Sequence, residues 1–82
     1  MDLYIGNFDY LVTIDQIKNL VDGHAAILSS RMIVDFKRPG YNKGFCFVEV
    51  DDENGPAVIA ALNGKEFCNR TLVVNEARPR NY

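Results

Sequence analysis

The two interleaved sets of positions in Lys43–Val50 differ in character. Lys43, Phe45, Phe47 and Glu49 carry rings and charges, whereas Gly44, Cys46, Val48 and Val50 are small and apolar. A period of two predicts a strand there. The same period, more weakly expressed, marks Leu3–Asn7, about Ser29–Phe36 and Thr71–Asn75 as strands, with Gly6-Asn7 as the stop after the first. Ile14, Ile17, Leu20 and Val21 recur instead at helical spacing. Thr13, three residues before Gln16, offers a reciprocal cap for that helix, and Gly23 suits the position past its last turn. A second helix is expected over Ala57–Leu62, capped by Asp51 or Asp52 and closed by Asn63-Gly64. It should begin close to Gly55-Pro56, because proline fits only a first turn. Between the second and third strands, Lys37–Asn42 reads as a loop with Pro39-Gly40 as its turn.

The order is strand, helix, strand, strand, helix, strand. It predicts an α+β fold: a ferredoxin-like βαββαβ sandwich, in which a four-stranded antiparallel sheet carries two helices on one face. Right-handed crossovers put both helices on the same side. No repeat, linker or low-complexity tract divides the chain, so one domain is expected over residues 1–82, with a core of about 2–78.

Strand parity then assigns faces. Lys43 and Glu49 fit poorly beneath helices, since an unpaired buried charge is very costly. Cys46, Val48 and Val50 are therefore expected inside, and Phe45 and Phe47 outside. Leu3 and Ile5 should face the helices, with Asp2 and Tyr4 on the open side. Met32, Val34, Leu72 and Val74 are expected to point in; Arg31, Ile33, Asp35, Val73 and Asn75 are expected to point out. With the first and third strands as central neighbours, Tyr4, Phe45 and Phe47 form one aromatic cluster on an uncovered surface, with Lys43 and Arg31 nearby. Clustered exposed rings mark a binding surface. Rings beside cations suit unpaired nucleobases, which stack, while the cations meet phosphates.

Composition narrows this reading. The chain has 82 residues, 48% hydrophobic and 24% charged, with a net charge of −2. Such a balance excludes a domain that grips nucleic acid by bulk charge alone, so the placement of cations must carry any such function. No apolar run is long enough to cross a membrane, and the acidic start does not resemble a secretory signal. Cys46 and Cys68 are too few for a disulfide scaffold and lack metal-ligand spacing, which predicts a reduced, cytoplasmic protein without metal or cofactor. Neither a phosphate-cradling glycine loop nor a nucleophile–base pair is evident, and His24 has no second ligand or nucleophile near it in sequence, so no enzyme activity is expected.

At these residues a family becomes recognisable. Lys43-Gly44-Phe45-Cys46-Phe47-Val48-Glu49-Val50 resembles the eight-residue RNP motif of the RNA recognition motif family, and Leu3-Tyr4-Ile5-Gly6-Asn7-Phe8 resembles its six-residue companion. With Leu62-Asn63-Gly64 and the ending Val74-Asn75-Glu76-Ala77-Arg78, the likeness covers nearly the whole chain and is greatest to small single-domain bacterial RNA-binding proteins. The resemblance implies that Tyr4 and Phe47 stack on successive bases, Phe45 packs against the sugars between them, and Lys43 meets a phosphate. Asn75, Ala77 and Arg78 would supply hydrogen bonds at the edge of the last strand, partly from backbone. Arg31 is a further candidate, and Lys37, Arg38 and Tyr41 are weaker ones. Cys46 replaces a usual Gly or Ala, Val50 a usual aromatic and Phe8 a usual aliphatic residue. The first two are inward positions, so those changes should alter core packing only.

The leading expectation is a non-catalytic module for single-stranded RNA, with single-stranded DNA as a second ligand and a regulatory or chaperone-like role. The alternative is a protein-interaction module or homodimer that uses the same face or the helical one. A phosphatase of the acylphosphatase kind is disfavoured, because Asn7-Phe8-Asp9-Tyr10 holds an acid and no arginine where an anion cradle would need one.

Overall fold

The computed structural model of the chain describes residues 1–34, 37–38 and 40–77, with the backbone alone at Val34. Strand β1 spans Asp2–Gly6, helix α1 Ile14–Asp22, β2 Ile27–Val34, β3 Asn42–Val50, α2 Gly55–Leu62, β4 Glu66–Phe67, β5 Arg70–Thr71 and β6 Val73–Glu76. Four strands form one sheet in the order β2-β3-β1-β6, antiparallel at every contact. This is the ferredoxin-like sandwich expected from the sequence. The small β4–β5 hairpin is an addition to it.

Each helix forms for a local reason. In α1 the Gln16 amide donates to Thr13 Oγ1 at 3.3 Å and the Thr13 amide donates to Gln16 Oε1 at 2.9 Å, so the capping box is complete. Ile17 and Val21 are buried and Ile14 and Leu20 partly so. Helix α2 starts differently from expectation. Neither Asp51 nor Asp52 caps it through a side chain. The Asp51 carbonyl accepts from the amides of Asn54 and Gly55, at 3.0 and 3.1 Å, and the Asp52 carboxylate pairs with the Met1 ammonium at 2.7 Å. That pairing holds the Asp52 carboxyl below its ordinary range and raises the Met1 amine.

The core is a single layer between helices and sheet. Leu3 and Ile5 from β1, Cys46, Val48 and Val50 from β3, and Leu72 and Val74 meet Ile17, Val21, Val58 and Leu62, all essentially inaccessible to water. Phe8 and Val12, from the β1–α1 connection, complete it. The inward positions read from parity are therefore correct for β1, β3 and β6, and the substitutions Cys46 and Val50 do lie in the core. Burial pushes the Cys46 thiol up to about 12.

The strand bounds shift from expectation, β1 running over Asp2–Gly6 rather than Leu3–Asn7 and β3 starting at Asn42 rather than Lys43, with larger changes in two strands. Strand β2 begins at Ile27 rather than Ser29, and its described part ends at Val34. Leu28 is an extra residue there: Ile27 opposes Val50 and Ser29 opposes Glu49, so Leu28 bulges out, 57% exposed. The bulge lets the strand begin early without turning Met32 from the core or Arg31 from solvent. The expected positions of the Val34 and Asp35 side chains lie outside the described residues. The last sheet strand is Val73–Glu76 rather than Thr71–Asn75, because Thr71 pairs with Glu66 in the hairpin instead. Cys68 and Asn69 turn that hairpin with positive φ, 50° and 67°.

Candidate nucleic-acid interface

The register of the two central strands brings the rings together. In β1 and β3, Tyr4 lies opposite Phe47 and Gly6 opposite Phe45, while Tyr4 also lies opposite Asn75 in β6, and Arg31 in β2 lies opposite Phe47. Directly opposed residues point to the same side of a sheet. All of these therefore face away from Leu3, Ile5, Cys46 and Val48. Tyr4 and Phe45 stack, with centroids 5.8 Å apart and planes at 27°, and Phe47 meets Tyr4 edge-on at 6.0 Å and Phe45 at 5.9 Å. The three rings are half-buried, chiefly because they pack on one another. The Arg31 guanidinium lies over Phe47, 5.7 Å from its centroid.

Gly6 is part of this arrangement. A Cβ placed there would sit 2.6 Å from Tyr4 Cζ and 2.7 Å from Tyr4 Cε1, so the tyrosine ring lies flat along the strand over a residue with no side chain. Its partner across the ladder, Phe45, is thus free to stack on that ring. In the sequence Gly6 reads as a strand terminator and as a member of the six-residue motif, with no link to the tyrosine ring. The proximity of Tyr4, two residues earlier on the same face, is the signal that could have shown more.

A second device fixes the sheet end beyond Phe45. Asn42 is 4% exposed, and its side-chain amide donates to the carbonyls of Asp9 at 3.2 Å and Val12 at 2.6 Å. Its Oδ1 accepts from the Gly44 amide at 2.6 Å, and its own amide donates to the Tyr10 carbonyl at 2.9 Å. The β1–α1 connection is thereby tied to the start of β3. Gly44 makes the accompanying bulge with φ of 85°, and a Cβ there would meet the Phe8 carbonyl at 3.3 Å. The sequence places Asn42 in a loop, since a side chain that bonds backbone 30 residues away leaves no local pattern.

Charge is distributed unevenly on the open side. Asp2 and Glu49 oppose one another at one end, and exposed Asp51 and Asp52 follow. At the other end stands exposed Lys43, with exposed Lys37 and Arg38 in the adjoining β2–β3 connection, and Arg70 reaches Asn7 Oδ1 at 3.5 Å. The β4–β5 hairpin sets Arg70 beside Asn7, just past the end of β1. Arg38 and Tyr41 lie at the tip of the β2–β3 connection rather than on the sheet face. The Ala77 amide already donates to the Asp2 carbonyl at 2.7 Å, so this residue has only its carbonyl to offer a ligand, a narrower role than the sequence implied. Asn75 is exposed beside Tyr4, and Arg78 lies outside the described residues.

Comparison with known proteins agrees with this architecture. The sequence pattern of the RNA recognition motif family matches residues 3–73. The Nostoc sp. protein RbpE, which carries a provisional RNA-binding name, is 36% identical over 81 residues, covering 98% of this chain and 81% of that one. Among solved structures, RNA Binding Protein PG1 superposes with a TM-score of 0.88 at 35% identity, covering 100% of this chain and 99% of the other. The RRM of Rna15 with bound RNA (GU) superposes with a TM-score of 0.87 at 26% identity, covering 99% and 86%. The chain belongs to the RNA recognition motif family.

Proposed function

We propose that the open sheet face binds single-stranded RNA without chemical turnover, by stacking bases on Tyr4 and Phe47 while Phe45 contacts sugar and Lys43 and Arg31 meet phosphate. The observation that carries this reading is the ring cluster itself: three aromatics from two paired strands, turned from the core and accessible beside an arginine. Two features of the relatives support it, the RNA-binding name of RbpE and the RNA held by the Rna15 domain. Asn75, the Ala77 carbonyl and Arg78 would add hydrogen bonds at the β6 edge. Stacking is worth roughly 1–3 kcal/mol per base, so two stacks with one or two phosphate contacts, less the ordering cost, give an affinity of roughly micromolar order. Single-stranded DNA satisfies the same stacking surface. The cytoplasmic setting belongs to the same proposal, supported by the unbonded thiols of Cys46 and Cys68.

The test is a titration of fluorescent single-stranded RNA of about eight nucleotides. Saturable binding weakened about tenfold by Phe47→Ala, and likewise by Tyr4→Ala, is expected, since one lost stack is worth about that factor. Binding indifferent to both substitutions would reject the reading.

A further inference from the structure

One aliphatic side chain is held outward although the fold gives it no cover. Leu11 is 64% exposed, whereas Val12 beside it is buried. The Leu11 amide donates to Asp9 Oδ1 at 2.9 Å and the Val12 amide donates to the Asp9 carbonyl at 3.1 Å, so the turn that presents the leucine is fixed by its own hydrogen bonds. Leu11 borders a hollow of about 200 Å³, lined by Val12 and Ile14 on the α1 side and by Met32 and Tyr41 from β2 and the connection after it. Ile14 and Met32 pack against the core, so the hollow lies on the helix side of the sheet, away from Tyr4, Phe45 and Phe47. We propose that this surface is a dimer interface: two copies of the chain meet about a two-fold axis, and each places its Leu11 in the hollow of the other.

Three observations carry it. First, exposed apolar area is gathered here. Tyr10, Leu11 and Tyr41 are three of the five large hydrophobic side chains exposed among the described residues, and they adjoin the same hollow. A contiguous patch of this kind marks a protein contact. Second, knob and hollow lie next to one another. An isologous contact requires this, because one patch must both project and receive. A foreign segment would need only the hollow; the leucine beside it is used by a second copy. Third, the charges are self-complementary. The Arg38 guanidinium, 5.1 Å from the Tyr10 centroid and 5.3 Å from that of Tyr41, stands at one end of the groove. Asp15, exposed in the first turn of α1 next to Ile14, stands at the other. A two-fold axis near Leu11 sets the two grooves antiparallel, so Arg38 of each copy meets Asp15 of the other and opposite signs face one another twice. The sheet faces stay uncovered, and the dimer carries two of them; that consequence, unlike the dimer itself, rests on the function proposed above.

Sedimentation velocity of the protein without RNA reads the dimer directly. The mass should rise from one chain toward two with a midpoint at roughly 100 µM, the strength of a small transient interface. Leu11→Asp changes a side chain that the fold does not bury. Its thermal midpoint should match the parent, while the dimer weakens by more than about tenfold. Asp15→Arg and Arg38→Asp should each weaken the dimer, and both in one chain should restore it, because opposite charges again face one another across the axis. Leu11→Asp should bind RNA of about eight nucleotides as the parent does. A single-chain mass at every concentration up to about 1 mM overturns the proposal, whatever else occupies the hollow. A dimer indifferent to Leu11→Asp also overturns it, since its interface would lie elsewhere, as does a charge exchange no stronger than its single variants. Loss of RNA binding in Leu11→Asp counts against it too, because the leucine would then serve the sheet. Failure of RNA to bind the parent rejects the sheet reading alone and leaves the dimer to stand on sedimentation.

Discussion

Tyr4 can lie along its strand only because Gly6 beneath it has no side chain. Gly6 is not among the positive-φ glycines, so Gly6→Ala should be accepted by the backbone while the new methyl displaces the ring. The expected result is an RNA affinity lower by about tenfold, the worth of one stack, with an unfolding midpoint close to that of the parent. Fluorescence titration and thermal unfolding of the same variant check the two halves. Cys46 carries a second residue-scale expectation. Its folded pKa is raised to about 12, above an unfolded value near 8.5, so the neutral thiol is favoured by folding. Stability from this group is complete below about pH 8.5 and falls as the pH rises toward 12, by up to about 1.4 kcal/mol per pH unit. Urea unfolding between pH 8 and 11 should therefore show a steeper decline in the parent than in Cys46→Ala. A thiol reagent at neutral pH should modify exposed Cys68 and spare Cys46.

At the scale of elements, the connections matter as much as the strands. Asn42 ties the β1–α1 connection to β3 through two side-chain bonds, to the Asp9 and Val12 carbonyls, and its Oδ1 accepts from Gly44 within β3. Asn42→Ala leaves the Val12 carbonyl and the Gly44 amide without this partner, while the Asp9 carbonyl keeps the Val12 amide, and should cost about 2–4 kcal/mol in urea denaturation. The Asn42 backbone amide still donates to the Tyr10 carbonyl in that variant, so the loss falls on the side-chain bonds alone. The bulge at Leu28 has a different consequence: it absorbs one residue so that Arg31 still arrives opposite Phe47. Had β2 run without it from Ile27, the parity of the whole strand would have reversed, placing Arg31 against the helices.

For the molecule as a whole, a net charge of −2 must coexist with phosphate binding. The structure reconciles the two by separating the signs along the central ribbon, carboxylates at the Asp2 and Glu49 end and cations at the Lys43 end. Under the proposed contacts only a few phosphates are met. With Lys43 and Arg31 as the sheet contacts, a plot of log affinity against log salt for a ligand of about four nucleotides should have a slope near about −1.4, and Arg31→Ala should bring it to about −0.7. A much steeper slope would mean that phosphate attraction, rather than stacking, dominates.

The parity of Lys43–Val50 and of Leu3–Asn7, with the expected adjacency of these strands, was enough to place Phe45, Phe47 and Tyr4 on one open face, because a period of two and the cost of burying charge act on every residue of a strand alike. The capping box of α1 was equally legible, being written within four residues. Other features depend on chain segments far apart in sequence. The loop anchor at Asn42, the arrival of Arg70 through a two-strand hairpin, the loss of Asp52 as a helix cap to the Met1 ammonium and the guanidinium between Tyr10 and Tyr41 all require residues that meet only after the sheet has formed. Local periodicity reports which face a side chain takes; which partner waits there is decided by tertiary packing, since hydrogen bonds and ring contacts act over a few ångströms of space and take no account of separation along the chain.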